Sequence, residues 1–285
     1  MFDGASAFTQ GPNQVTESQA SLRRGYCDGP FGQIHYRRAG SGGARPLLCF
    51  HMSPHSGLVY EAFLREMGAD RLAIAPDTPG FGESDPPPAA PEIADYARSM
   101  AALMEALALD EVDIIGYHTG SKIAVALALL RPAQVRHVIL VSAPVFTAEE
   151  RQAFRELYGP DQLDEQGSHL QDRWQALMRW RGPGQSIEMA AEHFFEGLRR
   201  PAISWWGHYA AFAFELAELL PQVRQPVLLL NPGDDLTEYT RRAAPLLKNG
   251  RLLELPDWGH GLLQVKTAEL AELVRDFCGG RELQA

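Results

Sequence analysis

His118 stands at the centre of Gly116-Tyr117-His118-Thr119-Gly120, between an apolar strand-like run (112–115) and an apolar helix-like run (123–130). Strand, Gly-x-x-x-Gly turn and helix form a shape that exposes the central side chain at the top of a sheet, on a strained turn at a helix N-terminus. The glycines take Cβ atoms out of a crowded corner. An imidazole placed there can attack an activated carbonyl, because an acyl-imidazole is readily hydrolysed. It can equally act as a general base or hydrogen-bond donor that positions water or substrate. A third chemistry is metal binding by His118 and His260 with His51 and a carboxylate. No tight ligand spacing marks that set in the sequence, and no metal is assigned. A fourth is a site that binds a ligand without turning it over. Ser121 lies one turn into the helix and points away, so it is no substitute nucleophile.

Asp235 follows an apolar strand, and His260 follows the last one. An imidazole whose second nitrogen is held by a carboxylate is fixed in one tautomer and works as a general base. The plainer reading makes Asp235 a helix cap and His260 a turn residue. Their positions at matched strand ends favour the acid–base pair, although the neighbouring Asp234 competes with Asp235 as the acid. An acid–base pair has no purpose in a dead site, which favours the first two readings of His118. The two imidazoles would titrate as a pair, and the positive end of the following helix favours a neutral His118.

The elements that must position these residues alternate. Arg23–Gly40 reads as a hairpin broken at Asp28-Gly29-Pro30-Phe31-Gly32. Apolar runs at 46–50, 71–76, 112–115, 137–142, 226–230 and 251–255 read as strands, the first of them buried on both faces. Helical spacing covers 57–67, 92–109, 123–130, 237–247 and 268–278. Repeated β-α order implies a parallel sheet with helices on both faces. Lys122 is the only charge in the helix after His118 before Arg131. From about 147 to 221 the strands stop. That stretch holds Trp174, Trp180, Trp205 and Trp206 with Phe194, Phe195, Tyr209, Phe212 and Phe214, and reads as an inserted helical cap. The expected organisation is an arm at 1–22, a core at 23–146 and 222–285, and a cap at 147–221.

The 285 residues suit one large α/β unit with an insertion. A formal net charge of −10 provides no surplus of cations for phosphates, which argues against a nucleic-acid partner. Three cysteines, odd in number and widely spaced, fit a reduced, cytoplasmic protein. No apolar run is long enough to span a bilayer, and no membrane partner is expected. The partner expected is a small-molecule substrate.

Five stations together resemble the capped branch of the α/β-hydrolase fold family. They are His51-Met52-Ser53-Pro54-His55-Ser56, Asp77-Thr78-Pro79-Gly80-Phe81-Gly82-Glu83-Ser84, Gly116–Gly120, Asp235 and His260. The first looks like the family's His-Gly-x-Pro loop, with Met52 in place of Gly. The third looks like its nucleophile elbow, with His118 in place of Ser, Cys or Asp. The match is closest to the epoxide hydrolase, haloalkane dehalogenase and ring-cleavage hydrolase group, and it covers about residues 23–280.

The resemblance implies an α/β-hydrolase fold with a mostly parallel sheet and a cap between the sixth and seventh strands. It implies a catalytic set of His118, Asp235 and His260. It also implies an oxyanion hole built from the backbone N–H groups of Ser53 and Thr119, and a cis bond at Ser53-Pro54. Substrate contacts are expected from His51, His55, Trp205, Trp206 and His208, with His193 among the cap aromatics as a further candidate. His35 and His137 are expected to be structural. The function expected is hydrolysis of a small, mainly apolar carbonyl substrate such as an ester, a lactone or a diketone C–C bond. The rivals are a lyase, isomerase or cofactor-free oxygenase on the same scaffold, and an inactive ligand-binding protein. No Rossmann or phosphate-loop fingerprint is present, so no cofactor is expected.

Overall fold

The computed structural model describes residues 20–283; residues 1–19 of the expected arm lie outside the described residues. Eight strands form one sheet: β1 (Arg23–Gly29), β2 (Gly32–Ala39), β3 (Ala44–Phe50), β4 (Arg71–Pro76), β5 (Val112–Tyr117), β6 (Val135–Val141), β7 (Val227–Pro232) and β8 (Gly250–Leu255). Their spatial order is β1-β2-β4-β3-β5-β6-β7-β8. β1 and β2 pair antiparallel, β2 meets β4 antiparallel, and every pairing from β4 to β8 is parallel.

The central strands read as unbroken apolar runs because both of their faces are covered. Successive side chains go to opposite sides. Leu48, Phe50, Ile114, Val138, Leu140 and Leu229 join one buried cluster. Leu47, Cys49, Ile115, Ile139, Leu228 and Leu230 join the other. Helices α1 (Glu61–Met67), α2 (Ile93–Ala106) and α3 (Thr119–Leu130) follow β3, β4 and β5. α2 and α3 cover the first face. α1 covers the second, with α10 (Leu262–Val265) and α11 (Thr267–Cys278). Each fully buried Leu or Ile contributes roughly 1.5–3 kcal/mol of apolar burial, which makes the two layers the main support of the sheet.

Between β6 and β7 run α4 (Ala148–Leu157), α5 (Ser168–Trp180), α6 (Ile187–Gly197), α7 (Trp206–Ala213) and α8 (Leu216–Leu219). α4 starts in a capping box. The Thr147 hydroxyl accepts from the Glu150 N–H, and the Glu150 carboxylate accepts from the Thr147 N–H. The expected helix 237–247 is shorter in the structure. α9 (Thr237–Arg241) stops, and a separate 3-10 turn covers Ala244–Leu246. Pro245 lacks the N–H that a continuing α-helix would donate to the Arg241 carbonyl. Among the described residues, no helix is long and apolar enough to cross a membrane.

Candidate active site

His118 leaves β5 at φ 50°, ψ −112°, a backbone region unusual for a residue with a side chain. The glycines explain how the corner closes. A Cβ on Gly120 would lie 2.0 Å from the Phe50 carbonyl oxygen, and one on Gly116 would lie 2.1 Å from the Gly120 carbonyl. The His118 N–H donates to Val141 O at 3.0 Å, and the Ser121 hydroxyl donates to His118 O at 2.6 Å. Ser121 therefore fastens the turn from behind.

Four strand ends converge here. His118 Nε2 lies 3.1 Å from Asp234 Oδ2, after β7. The Ser142 hydroxyl, after β6, donates to the same oxygen at 2.5 Å. The Leu236 N–H donates to Asp234 Oδ1 at 2.9 Å. His260 Nε2, after β8, lies 2.7 Å from Asp235 Oδ1. The two imidazoles meet edge to face, with centroids 5.3 Å apart. Asp235 thus partners His260, and Asp234 partners His118. Ser142 gave no signal in the sequence, since it lies 92 residues from Asp234.

A carboxylate only accepts hydrogen bonds, so each neutral ring carries its proton on Nε2 and keeps a basic Nδ1. Burial works against the ionised form of Asp235, but the His260 hydrogen bond and the His118 and His260 charges outweigh it and bring its pKa down to about 2. Asp234 is lowered in the same way by His118, His260 and Ser142 against its burial. Burial disfavours the His260 cation, yet the hydrogen bond and charge of Asp235, with Asp234 behind it, raise its pKa. The His118, His260 and Asp235 side chains keep 17 %, 19 % and 25 % of their surface exposed, so solvent reaches the pair.

The loop after β3 lies beside the turn, and its Ser53-Pro54 peptide is cis. Among the described residues, the Ser53 and Thr119 N–H groups have no hydrogen-bond acceptor. Asp77, fully buried, ties this loop to the next one. It accepts from the Gly57 N–H (2.8 Å), the Glu83 N–H (2.9 Å) and Arg37 (3.0 Å), and pairs with His35 Nδ1 at 2.8 Å. His137 pairs with Asp113 at 2.8 Å, far from the turn at the start of the strands.

His51 corrects an expectation. Its Nδ1–H donates to Met52 O at 2.8 Å, and its Nε2 accepts from the Thr78 N–H at 2.9 Å. Both nitrogens are engaged between loops, so none is left for a substrate or a metal. Trp205 is engaged within its own helical stretch: its indole N–H donates to Ala202 O at 3.2 Å, and its ring packs on Trp206 and Tyr209. His208 does approach the site. It lies against Tyr158 and Phe212, in a wall continued by Phe154 and Phe146. Burial lowers His208 to about 4, with the His118 and Arg173 charges adding to it. His55 and His193 pack edge to face at 5.4 Å, and burial lowers both.

The helical stretch touches the site at two seams. A Cβ on Gly207 of α7 would lie 1.8 Å from Ser53 Oγ, so only a glycine lets the helix rest on that loop. The Gly182 N–H donates to the carbonyl of His260 at 3.1 Å. An open cleft of about 1230 Å³ lies at the opposite end of the sheet, around Arg45, Arg136, Arg224 and Lys248, and includes none of these residues.

Residues 45–266 match the family model for the alpha/beta hydrolase fold. A proline iminopeptidase of Heyndrickxia coagulans is 29 % identical over 140 residues, 47 % of this chain and 49 % of that enzyme. The chain spans at most about half the length of the first curated relatives it matches (49 % and 35 %). Among solved structures, an enol-lactonase of Burkholderia xenovorans LB400 superposes with a TM-score of 0.75 at 17 % identity, over 90 % of this chain and 100 % of that one. A thermophilic esterase of Thermogutta terrifontis gives 0.74 at 20 % identity, over 90 % and 98 %.

Proposed function

Because the chain belongs to the α/β hydrolase fold family, we propose that it hydrolyses a small, mainly apolar carbonyl substrate, an ester or lactone, at the His118–His260 pair. One observation carries this reading: each imidazole has its own carboxylate at the carboxyl ends of the strands. His118 Nδ1 attacks the carbonyl to give an acyl-imidazole, or instead deprotonates a water that makes the attack. In the covalent route the leaving alkoxide takes a proton from solvent, and His260, made more basic by Asp235, removes the proton of the water that then hydrolyses the acyl-imidazole; in the water route His118 returns the water's proton to the leaving group. The free Ser53 and Thr119 N–H groups receive the negative charge that grows on the carbonyl oxygen. The Tyr158, Phe154 and Phe212 rings beside His208 form the apolar wall, under a helical cap formed by 147–221. The esterase and enol-lactonase likenesses favour acyl-oxygen bonds as the target.

The test is turnover of a panel of esters, lactones and β-diketones by the wild type, His118→Ala and His260→Ala. Loss of about 10³-fold or more in both variants supports the pair. Unchanged turnover in His118→Ala removes His118 from the mechanism. No turnover by the folded wild type across the panel overturns the reading.

A further inference from the structure

We propose that His118, Asp234, Asp235 and His260 also form a binding site for a divalent transition-metal cation of the Zn²⁺ class. One ligating atom from each of the four side chains lies within 4.8 Å of all the others. The donor set is two imidazole nitrogens and two carboxylate oxygens, which suits Zn²⁺ and Co²⁺ better than the all-oxygen preference of Mg²⁺ or Ca²⁺. Bonds of about 2.0–2.2 Å to such an ion set tetrahedral donors roughly 3.3–3.6 Å apart. The His118–Asp234 and His260–Asp235 contacts, at 3.1 and 2.7 Å, then need to open by less than about 1 Å. The remaining separations close from at most 4.8 Å, which is within reach of side-chain rotation.

Charge separates this cluster from the other mixed cluster, Asp113, His137 and Cys278. There, Arg45 and Arg71 approach the Asp113 carboxylate at 3.0 and 3.7 Å, so its charge is already balanced. Among the described residues, no Lys or Arg forms an ion pair with Asp234 or Asp235, and an imidazole is the one ion-pair partner of each carboxylate. One carboxylate of the cluster is fixed from outside it, as metal ligands commonly are. Asp234 is held by the Ser142 hydroxyl and the Leu236 N–H, and Tyr117 packs against His118 at 4.4 Å with its own hydroxyl buried and unpartnered.

In both rings Nε2 faces the carboxylates, so Nε2 takes the cation. The proton of each neutral ring moves to Nδ1, so neither ring keeps a free basic nitrogen. The consequence rests on the hydrolase reading above: the loaded protein loses that turnover. The site itself stands apart from that reading.

The full chain is stripped with a chelator, then titrated with Zn²⁺ by calorimetry and with Co²⁺ by visible absorption, beside turnover of the same preparation. The expected result is one ion per chain, the intense visible bands of four-coordinate Co²⁺, and inhibition that tracks occupancy. His118→Ala and Asp234→Ala, checked for folding by circular dichroism, weaken binding by at least ~10-fold, the loss that even outer partners of a metal cause. His137→Ala leaves binding unchanged. Absence of stoichiometric binding overturns the proposal, as does binding that survives both site variants or vanishes with His137→Ala. Binding by a protein that hydrolyses nothing when metal-free keeps this site and removes the hydrolase reading. Turnover without binding does the reverse.

Discussion

Lys122 is buried in α3 with 2 % of its surface exposed. Its ammonium donates to the Pro144 carbonyl at 3.1 Å and lies over the Phe146 ring at 5.4 Å. Among the described residues it has no carboxylate partner. Burial, with the Arg151 charge, brings its pKa from 10.5 down to about 7. The unfolded chain therefore binds this proton more tightly than the folded one. Below pH 7 both states are protonated and the full penalty applies, about 5 kcal/mol at 1.36 kcal/mol per pKa unit. Above pH 10.5 both are neutral and the penalty is gone. In between, stability rises with pH because the unfolded state holds more protons. From pH 7 to pH 9 the gain from this one group is about 2 kcal/mol.

Lys122→Met removes the titration and keeps most of the volume. Urea unfolding of both proteins at pH 7, 8 and 9 isolates it, since every other group titrates in both. The stability difference between them should shift by about 2 kcal/mol in favour of the wild type as pH rises over that window. The absolute offset also contains the orphaned Pro144 carbonyl, so the slope is the quantity to read. A difference that stays flat with pH refutes the buried, weakened ammonium.

Asp77→Ala strips four partners at once, among them the buried Arg37 guanidinium. It should cost roughly 3–5 kcal/mol, read as a lower urea midpoint. Gly207→Ala puts a methyl group 1.8 Å from Ser53 Oγ. The strain should amount to about 1–3 kcal/mol, with reduced turnover that Ser53→Gly in the same chain partly restores. Asp234→Asn and Asp235→Asn should each lower turnover, because each takes the carboxylate charge from a different imidazole and adds an amide donor that favours the wrong tautomer. Loss from Asp235→Asn alone would confine the chemistry to His260. In a double-mutant cycle on stability, His118→Ala and Asp234→Asn should couple by about 0.5–3 kcal/mol; strict additivity would deny the contact.

Much of this architecture was legible because its signals are local. A hairpin pattern placed the first two strands and apolar runs of strand length placed the rest, and the loops after three of those runs put His118, Asp235 and His260 at the strand ends. Where the reading stopped, the deciding contact was distant in sequence. Asp234 and His118 lie 116 residues apart, and Ser142 and Asp234 lie 92 apart. No periodicity links such pairs. His51 looked available because its Thr78 partner sits on another loop. Gly207 carries no signal of its own, because the Ser53 it packs on lies on a distant loop. The overlong helix at 237–247 was a different kind of error, since Pro245 is a local signal and should have ended it.

The two oddities at the site explain each other. Asp234 has a fully buried side chain, and a buried carboxylate needs partners that favour its charge. The Ser142 hydroxyl and the Leu236 N–H supply two neutral donors. With a serine at the turn, no group that can carry positive charge would bond to Asp234, since His260 is engaged with Asp235. An imidazole at 118 reaches the carboxylate at 3.1 Å and lowers its pKa. In turn, Asp234 fixes the ring that stands on the strained turn and directs its proton to Nε2. A histidine without that acid would be free to rotate and to exchange tautomers, and would have no defined basic nitrogen. The residue at the turn and the second aspartate therefore work as one unit, set beside the Asp235–His260 pair rather than in place of it.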